Sequence, residues 1–270
     1  MAISLSTLRR SDMPRPPIGV LYGKPGVGKT TLMSYAPNPV FLMTEDGLIS
    51  PRLSSMPHWQ INSFNELMEA LAVLGQEQHG FQTIVIDSLD RLAPMVAEAC
   101  CVANNWRNLD QPGYGKGNIE IVNWWVKIVE AAKWLRNTRG FGVWFIGHHS
   151  QRTVNPPDNP PYTQFTLTLP EREARLFIGE ADIVAFATHP VITTTSDGKF
   201  GQQQTRAISD DRGPVIHVQE RGAHIAKNRY DMPPTLPMSW GALASFIPAY
   251  HGTVVAAPSV GTPAVQATAH

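Results

Sequence analysis

Only two cysteines occur in the 270 residues, and they are neighbours, Cys100 and Cys101. Adjacent cysteines seldom form a structural disulfide, so a reduced, cytoplasmic setting is expected. Neither sign of charge is in excess, with 22 Lys and Arg against 22 Asp and Glu. That balance argues against a chain permanently coated with nucleic acid, though it leaves room for local basic loops. Long apolar runs are missing: none approaches the ~20 residues of a membrane span, and Met1-Ala2-Ile3-Ser4-Leu5 lacks the layout of a signal peptide. No membrane partner is expected. A hydrophobic fraction of 43% still provides for a sizeable core, and the length suits one large domain with small appendages.

What is present is an alternation of strands and helices. Ile18-Gly19-Val20-Leu21-Tyr22 is a short apolar run leading into a glycine-rich loop, the pattern of a buried parallel strand. A short helix over residues 30–36 is stopped by Pro37 and Pro39. Residues 40–44 read as the second strand, with Glu45-Asp46-Gly47 at its carboxyl end. Ser63 and Glu66 suggest a capping box for a helix with Leu67, Leu71 and Leu74 on one face. Residues 83–87 are the third strand, and 119–136 a helix with Ile121, Trp124, Trp125, Ile128, Ala132 and Leu135 at helical spacing. Residues 141–146 form the fourth strand, running into Gly147-His148-His149. Residues 107–117 and the proline-rich stretch 150–161 both read as exposed loops. Beyond them lie a helix at 171–177, a strand at 182–187, and a hairpin turn at Asp197-Gly198 between Thr-rich strands. Further strands at 215–218 and 224–226 precede a closing helix at 239–247. The expected fold class is α/β, a mainly parallel sheet flanked by helices with a more β-rich C-terminal part. Residues 1–15 form an N-terminal arm, 16–250 the domain, and the almost uncharged 251–270 a disordered tail.

The glycine-rich loop carries the chemistry. Gly23-Lys24-Pro25-Gly26-Val27-Gly28-Lys29-Thr30 is a complete Walker A pattern between a strand and a helix, and Thr31 continues it. Its backbone N–H groups are placed to cradle phosphates. Lys29 would reach the β- and γ-phosphates of ATP, and Thr30 would bind Mg²⁺. Asp87 at the tip of an apolar strand fits the Walker B role as a second metal ligand, the alternative being a cap for the next helix. Glu45 is placed to polarise a water for attack on the γ-phosphate, with Asp46 as its rival and a plain surface acid as the third possibility. His148 follows the fourth strand, where a polar side chain would sense the γ-phosphate or simply be solvated. The His148-His149 pair has no accompanying cluster at metal-ligand spacing.

Taken together, these residues resemble the core of RecA-type recombinases, and in particular the small phage-encoded single-domain ATPases of that superfamily. The likeness runs over residues 16–247. It implies that Glu45 is the catalytic base, that residues 84–88 are the Walker B strand, and that the His148 strand lies between the Walker A and Walker B strands. At Gly147-His148 the sequence departs from the Asn-Gln pair usual there. Ile225-Ala226-Lys227-Asn228-Arg229 is similar to the stretch that reaches a neighbouring subunit's γ-phosphate in such proteins. The resemblance therefore implies catalytic cations in trans at Lys227 and Arg229 and a homo-oligomer, ring or filament. A basic strand edge before a proline-rich turn is the plainer reading of the same residues.

Two loops are candidates for single-stranded DNA, each combining aromatics for stacking with cations for phosphate. The first offers Trp106, Arg107, Tyr114 and Lys116; the second offers Gln151 and Arg152, with Tyr162 and Phe165 beyond. Against this, Trp106 would belong to the core and the loops would be merely solvated. The expected function is ATP-dependent recombination on single-stranded DNA, by annealing or strand exchange, alongside a single-strand-binding protein. A helicase or helicase loader, or a nucleotide switch with no DNA role, are the alternatives on the same core.

Overall fold

A computed structural model describes residues 14–45, 47, 50–197, 203–209 and 213–251. Ile3, Leu5 and Leu8 of the expected arm, the tail beyond His251, the Gly198 turn position and Asp46 lie outside the described residues. In chain order the first half comprises β1 (Ile18–Gly23), α1 (Lys29–Met33), β2 (Pro39–Met43), α2 (Pro51–Ser54), β3 (His58–Gln60), α3 (Phe64–Gln76), β4 (Thr83–Asp87), α4 (Leu89–Ala103) and α5 (Lys116–Arg139). The second comprises β5 (Gly142–Val154), β6 (Tyr162–Leu167), α6 (Glu171–Glu180), β7 (Ile183–Thr188), β8 (Val191–Asp197), β9 (Gln203–Ser209), β10 (Val215–His217), β11 (Lys227–Asn228), β12 (Thr235–Pro237) and α7 (Trp240–Ala244).

The centre is a parallel sheet in the order β7-β1-β5-β4-β2-β3. β1 and β4 are buried along their whole length because they are apolar on both faces, which a strand tolerates only when layers cover it on both sides. Alternate residues serve the two layers. Val20, Ile84, Ile86, Val143 and Phe145 pack against α3, α4, α5 and α6 through Leu67, Leu92, Trp125 and Phe177. Leu21, Val85, Trp144 and Ile146 face α1, β10, β12 and α7 through Leu32, Ile216, Leu236 and Trp240. The α/β class and the placement of the His148 strand between the Walker A and Walker B strands follow the expectation. The capping of α3 differs in detail: Ser63 accepts from the Glu66 N–H at 3.2 Å, but the Glu66 carboxylate accepts from the Asn62 N–H at 2.8 Å, one residue outside the box.

One expectation is corrected along the fourth strand. β5 does not stop at residue 146 to give a long loop; it continues to Val154 and pairs antiparallel with β6, Gln151 opposite Phe165 and Arg152 opposite Gln164. Alternation in Tyr162-Thr163-Gln164-Phe165-Thr166-Leu167 supplies the partner, with Gln164, Thr166 and Leu167 buried. Pro156, Pro157, Pro160 and Pro161 fall in the connection, where no ladder N–H is required. The C-terminal β-rich part also shifts: residues 224–226 form only isolated bridges at His224, and the strand is β11. β8 and β9 pair as the antiparallel Thr-rich strands expected on either side of residues 198–202. Among the described residues no helix is long and apolar enough to cross a membrane.

Gly19 in β1 leaves no room for a side chain beside the neighbouring strand. A Cβ there would lie 2.3 Å from the ring of Trp144, itself fully buried and edge-on to Trp240 with centroids 6.2 Å apart. Gly19→Ala should therefore destabilise the fold by about 1–3 kcal/mol in chemical denaturation, and adding Trp144→Leu should recover part of that loss.

Candidate nucleotide-binding site

The site forms at the carboxyl ends of β1, β4 and β2 and at His148 midway along β5, where adjoining parallel strands deliver one functional segment each. Gly23 ends β1, and the loop then turns through left-handed positions at Gly26 (φ 76°) and Gly28 (φ 101°), which a side chain would strain. Val27 anchors the loop by burying its side chain in the core cluster that also holds Leu32 and Trp240. Lys24, Pro25 and Thr31 stay exposed. Lys29 opens α1 and is 6% exposed; its Nζ donates to the carbonyls of Gly23 at 3.1 Å and Lys24 at 2.9 Å. Burial lowers the Lys29 pKa, and the charges of Asp87, Asp90 and Glu45 oppose that shift.

Thr30 Oγ1 donates to Asp87 Oδ2 at 2.6 Å, joining the first turn of α1 to the tip of β4. Asp87 is 3% exposed, and burial pushes its pKa up to about 6. The Thr30 hydrogen bond pulls it down, Glu45 raises it, and Lys29 and His148 lower it. A buried carboxylate beside a hydroxyl is a pair of hard oxygen donors, the chemistry Mg²⁺ takes. These two residues would hold the ion, with the rest of its shell left to phosphate and water. Among the described residues no group of three or more His, Cys, Asp or Glu side chains could hold a metal by itself.

Glu45 follows β2, with its carboxylate 3.6 Å from Arg91 Nε and half-buried. A residue the sequence did not single out sets its position. Thr44 Oγ1 accepts from the Ser88 N–H at 2.8 Å and donates to the Ser88 carbonyl at 3.0 Å, while the Thr44 N–H donates to the Asp87 carbonyl at 2.7 Å. Three hydrogen bonds thus clamp the end of β2 to the end of β4, keeping Glu45 and Asp87 side by side. A second missed residue is Asp90 in the first turn of α4. Its Oδ2 accepts from the His148 backbone N–H at 2.7 Å and lies 3.3 Å from His148 Nδ1. His148 therefore joins the site through Asp90. The spacing Asp87-Ser88-Leu89-Asp90 held the signal, since a strand-end acid and a first-turn acid lie near one another.

The remaining candidates lie elsewhere. Lys227 and Arg229 flank Asn228, which pairs with Ile183 at the start of β7, whereas Gly23 pairs with Ala187 at its far end. Four strand residues separate these registers, about 13 Å, so both cations sit on the pole of the sheet opposite their own phosphate loop. Each has partners in its own chain: Lys227 Nζ donates to the carbonyls of Ile178 at 3.0 Å and Gly179 at 2.7 Å, and Arg229 pairs with Asp182 at 2.9 Å. Trp106 is half-buried and packs against the core, and the Arg107 N–H donates to the Gln111 side chain. Tyr114 is fully exposed at φ 50°, between Gly113 and Gly115, and Lys116 begins α5. Arg152 is held across the hairpin by Gln164 at 2.9 Å, whereas Gln151 is exposed.

Comparison with known proteins supplies the context for this geometry. A family model described as an AAA domain matches residues 15–230. No curated protein matches the chain. Among solved structures, the chain is similar to one described as the RadB recombinase, at 13% identity and a TM-score of 0.42, over 74% of this chain and 90% of that one.

The raised Asp87 pKa has a defined consequence for stability. An acid whose folded pKa lies above its unfolded value of about 4 binds its proton more tightly in the native state, so its ionisation costs stability as pH rises from about 4 through 6. Asp87→Asn should therefore stabilise the nucleotide-free protein, with a gain that grows across that window and levels off above it. Urea melts at successive pH values measure this, and a gain independent of pH would contradict it.

Proposed function

The chain belongs to the AAA-domain family of P-loop ATPases, and we propose that it is an Mg²⁺-dependent ATPase acting on single-stranded DNA in recombination, by annealing or strand exchange. The observation that carries the ATPase reading is the contact of Thr30 with a buried Asp87 beside Lys29, with Glu45 clamped next to them. On this reading Lys29 leaves the carbonyls of Gly23 and Lys24 for the β- and γ-phosphates of ATP. Thr30 and Asp87 hold Mg²⁺, which neutralises phosphate charge when bound. Glu45 orients a water in line with the γ-phosphate and takes its proton, and Arg91 holds that carboxylate at the edge of the site.

The DNA part of the proposal rests on continuity. β5 carries His148 and runs without a break into the β5–β6 hairpin, so a shift of His148 against Asp90 is transmitted along one strand to Gln151 and Arg152. Tyr22, next to the phosphate loop, donates its hydroxyl to the carbonyls of Ile225 and, at 3.3 Å, Phe165, tying the same hairpin to β1. The exposed Tyr114 supplies a base-stacking ring on the α4–α5 connection. Lys227 and Arg229, turned away from their own loop, are assigned to the phosphates of a neighbouring copy, which makes the active form an oligomer. A single-strand-binding protein is the expected companion of such an activity, and a phage-encoded recombination system its setting.

Glu45→Gln should lower turnover by about 10²–10⁴ while nucleotide still binds, whereas Lys29→Ala should remove binding itself. Single-stranded DNA should raise ATP turnover in the wild type, an effect fading with added salt. ATP turnover indifferent to DNA, with no DNA bound at low salt, would leave the ATPase standing and remove the recombination role.

A further inference from the structure

At the pole opposite the phosphate loop, a cavity of about 410 Å³ is lined by Arg15, Arg136, Arg229, Asp182 and Tyr230, with prolines completing its wall. Three guanidiniums face one carboxylate, and that carboxylate is fully engaged. Asp182 Oδ2 accepts from the Ile18 N–H at 3.0 Å and from Arg136 at 2.9 Å, while Oδ1 accepts from Arg229 at 2.9 Å. The buried acid therefore aligns two arginines without exhausting their donors. Arg15 and Arg136 are held together from outside: Arg15 Nη1 at 3.1 Å and Arg136 Nε at 3.3 Å both donate to Asn137 Oδ1. Each guanidinium carries five N–H donors, so most of those in the cavity are uncommitted. Nearby Glu180 is bound to Lys133 at 2.6 Å. Tyr230 keeps its proton, its pKa pushed up to about 12 by burial, and adds a neutral wall.

We propose that this cavity is a phosphate-binding site, separate from the nucleotide loop, in which Arg15, Arg136 and Arg229 take the oxygens of a phosphate group. Two uncompensated positive charges match a phosphate near neutral pH, and planar guanidinium forks match its oxygens in pairs. Asp182 and Arg136 are largely buried, at 11% and 18% side-chain exposure, which strengthens their local field, while Arg229 at 57% and Arg15 are exposed and open to an incoming anion. A lysine-lined patch would offer no comparable preorganisation, because here each arginine already has one edge fixed by Asp182 or Asn137. The phosphate comes either from solution or, resting on the assignment of Arg229 proposed above, from the nucleotide of a second copy of this chain, and the chemistry at the cavity is the same.

The test uses the full chain with Lys29→Ala, which silences the nucleotide loop. Inorganic phosphate should raise the melting temperature of this variant in a saturable way and broaden its own ³¹P resonance. Arg15→Gln should weaken phosphate at least tenfold; the hydrogen bonds to Asp182 come from Ile18, Arg136 and Arg229, so that network stays intact, and circular dichroism verifies the fold. Arg15→Gln with Arg229→Gln should abolish the effect. No saturable response in the Lys29→Ala chain, or an unchanged response in both arginine variants, overturns the proposal. To separate the sources, the Lys29→Ala chain is mixed with a copy carrying Arg15→Gln and Arg229→Gln but an intact loop. Association that needs a non-hydrolysable ATP analogue identifies the neighbour's nucleotide as the source, and a phosphate response without association identifies the free ion. The ATPase reading survives failure of this proposal, because Glu45→Gln and Lys29→Ala test it independently.

Discussion

The contact between the Thr30 hydroxyl and the buried Asp87 carboxylate is the constraint on which the site is built. A carboxylate almost without solvent is costly unless a proton, a donor or a cation satisfies it. Here the Thr30 hydroxyl donates to it, and the pKa pushed up to about 6 expresses what burial still costs. The same burial makes the pair receptive to a divalent ion, whose charge would reverse the balance. The fold tolerates this local cost because the strands that deliver the two residues are themselves saturated with backbone pairing, β1 and β4 each lying against β5.

Around that pair, the architecture is a means of bringing distant segments to one edge. Parallel strands present their functional segments on the same side, so Gly23, Glu45, Asp87 and His148, distant in sequence, can meet there without any of them lying on a long loop. Thr44 illustrates the precision this requires. Its side chain and backbone bind the Asp87-Ser88 segment by three hydrogen bonds, so the chain ends that carry Glu45 and Asp87 are held in fixed register. Asp90 performs the corresponding task on the other side by fixing His148.

The two poles of the sheet are chemically different. The carboxyl ends of the strands gather Glu45, Asp87 and Asp90 around one buried lysine, an arrangement suited to a metal–phosphate complex. The amino ends of β1 and β7 gather arginines around Asp182. Stacking copies pole to pole would bring an acidic, nucleotide-holding end against a basic one, an electrostatically complementary pairing. The hairpin formed by β5 and β6 projects from the first pole and shares its strand with His148.

The sequence alone determined the glycine-rich loop, the α/β class and the aspartate at the tip of β4, because each is written locally: glycines at fixed spacing, apolar runs ending in an acid, helical periodicity in α5. It missed the hairpin because proline-rich composition over residues 150–161 masked the alternation on either side, and strand pairing is decided by the partner as much as by the segment. Thr44 and Asp90 were silent for a related reason. A threonine after a strand and an aspartate in a helical first turn are common, and only the neighbouring strand shows what they bind. Trp106 read equally well as a stacking ring or as core, and packing placed it half-buried against the core. Which end of the sheet Lys227 and Arg229 occupy was likewise a tertiary decision, made by the antiparallel register of β11 on β7. Local chemistry fixes what a residue can do, whereas register and burial fix what it faces, and those depend on contacts that no single stretch of chain contains.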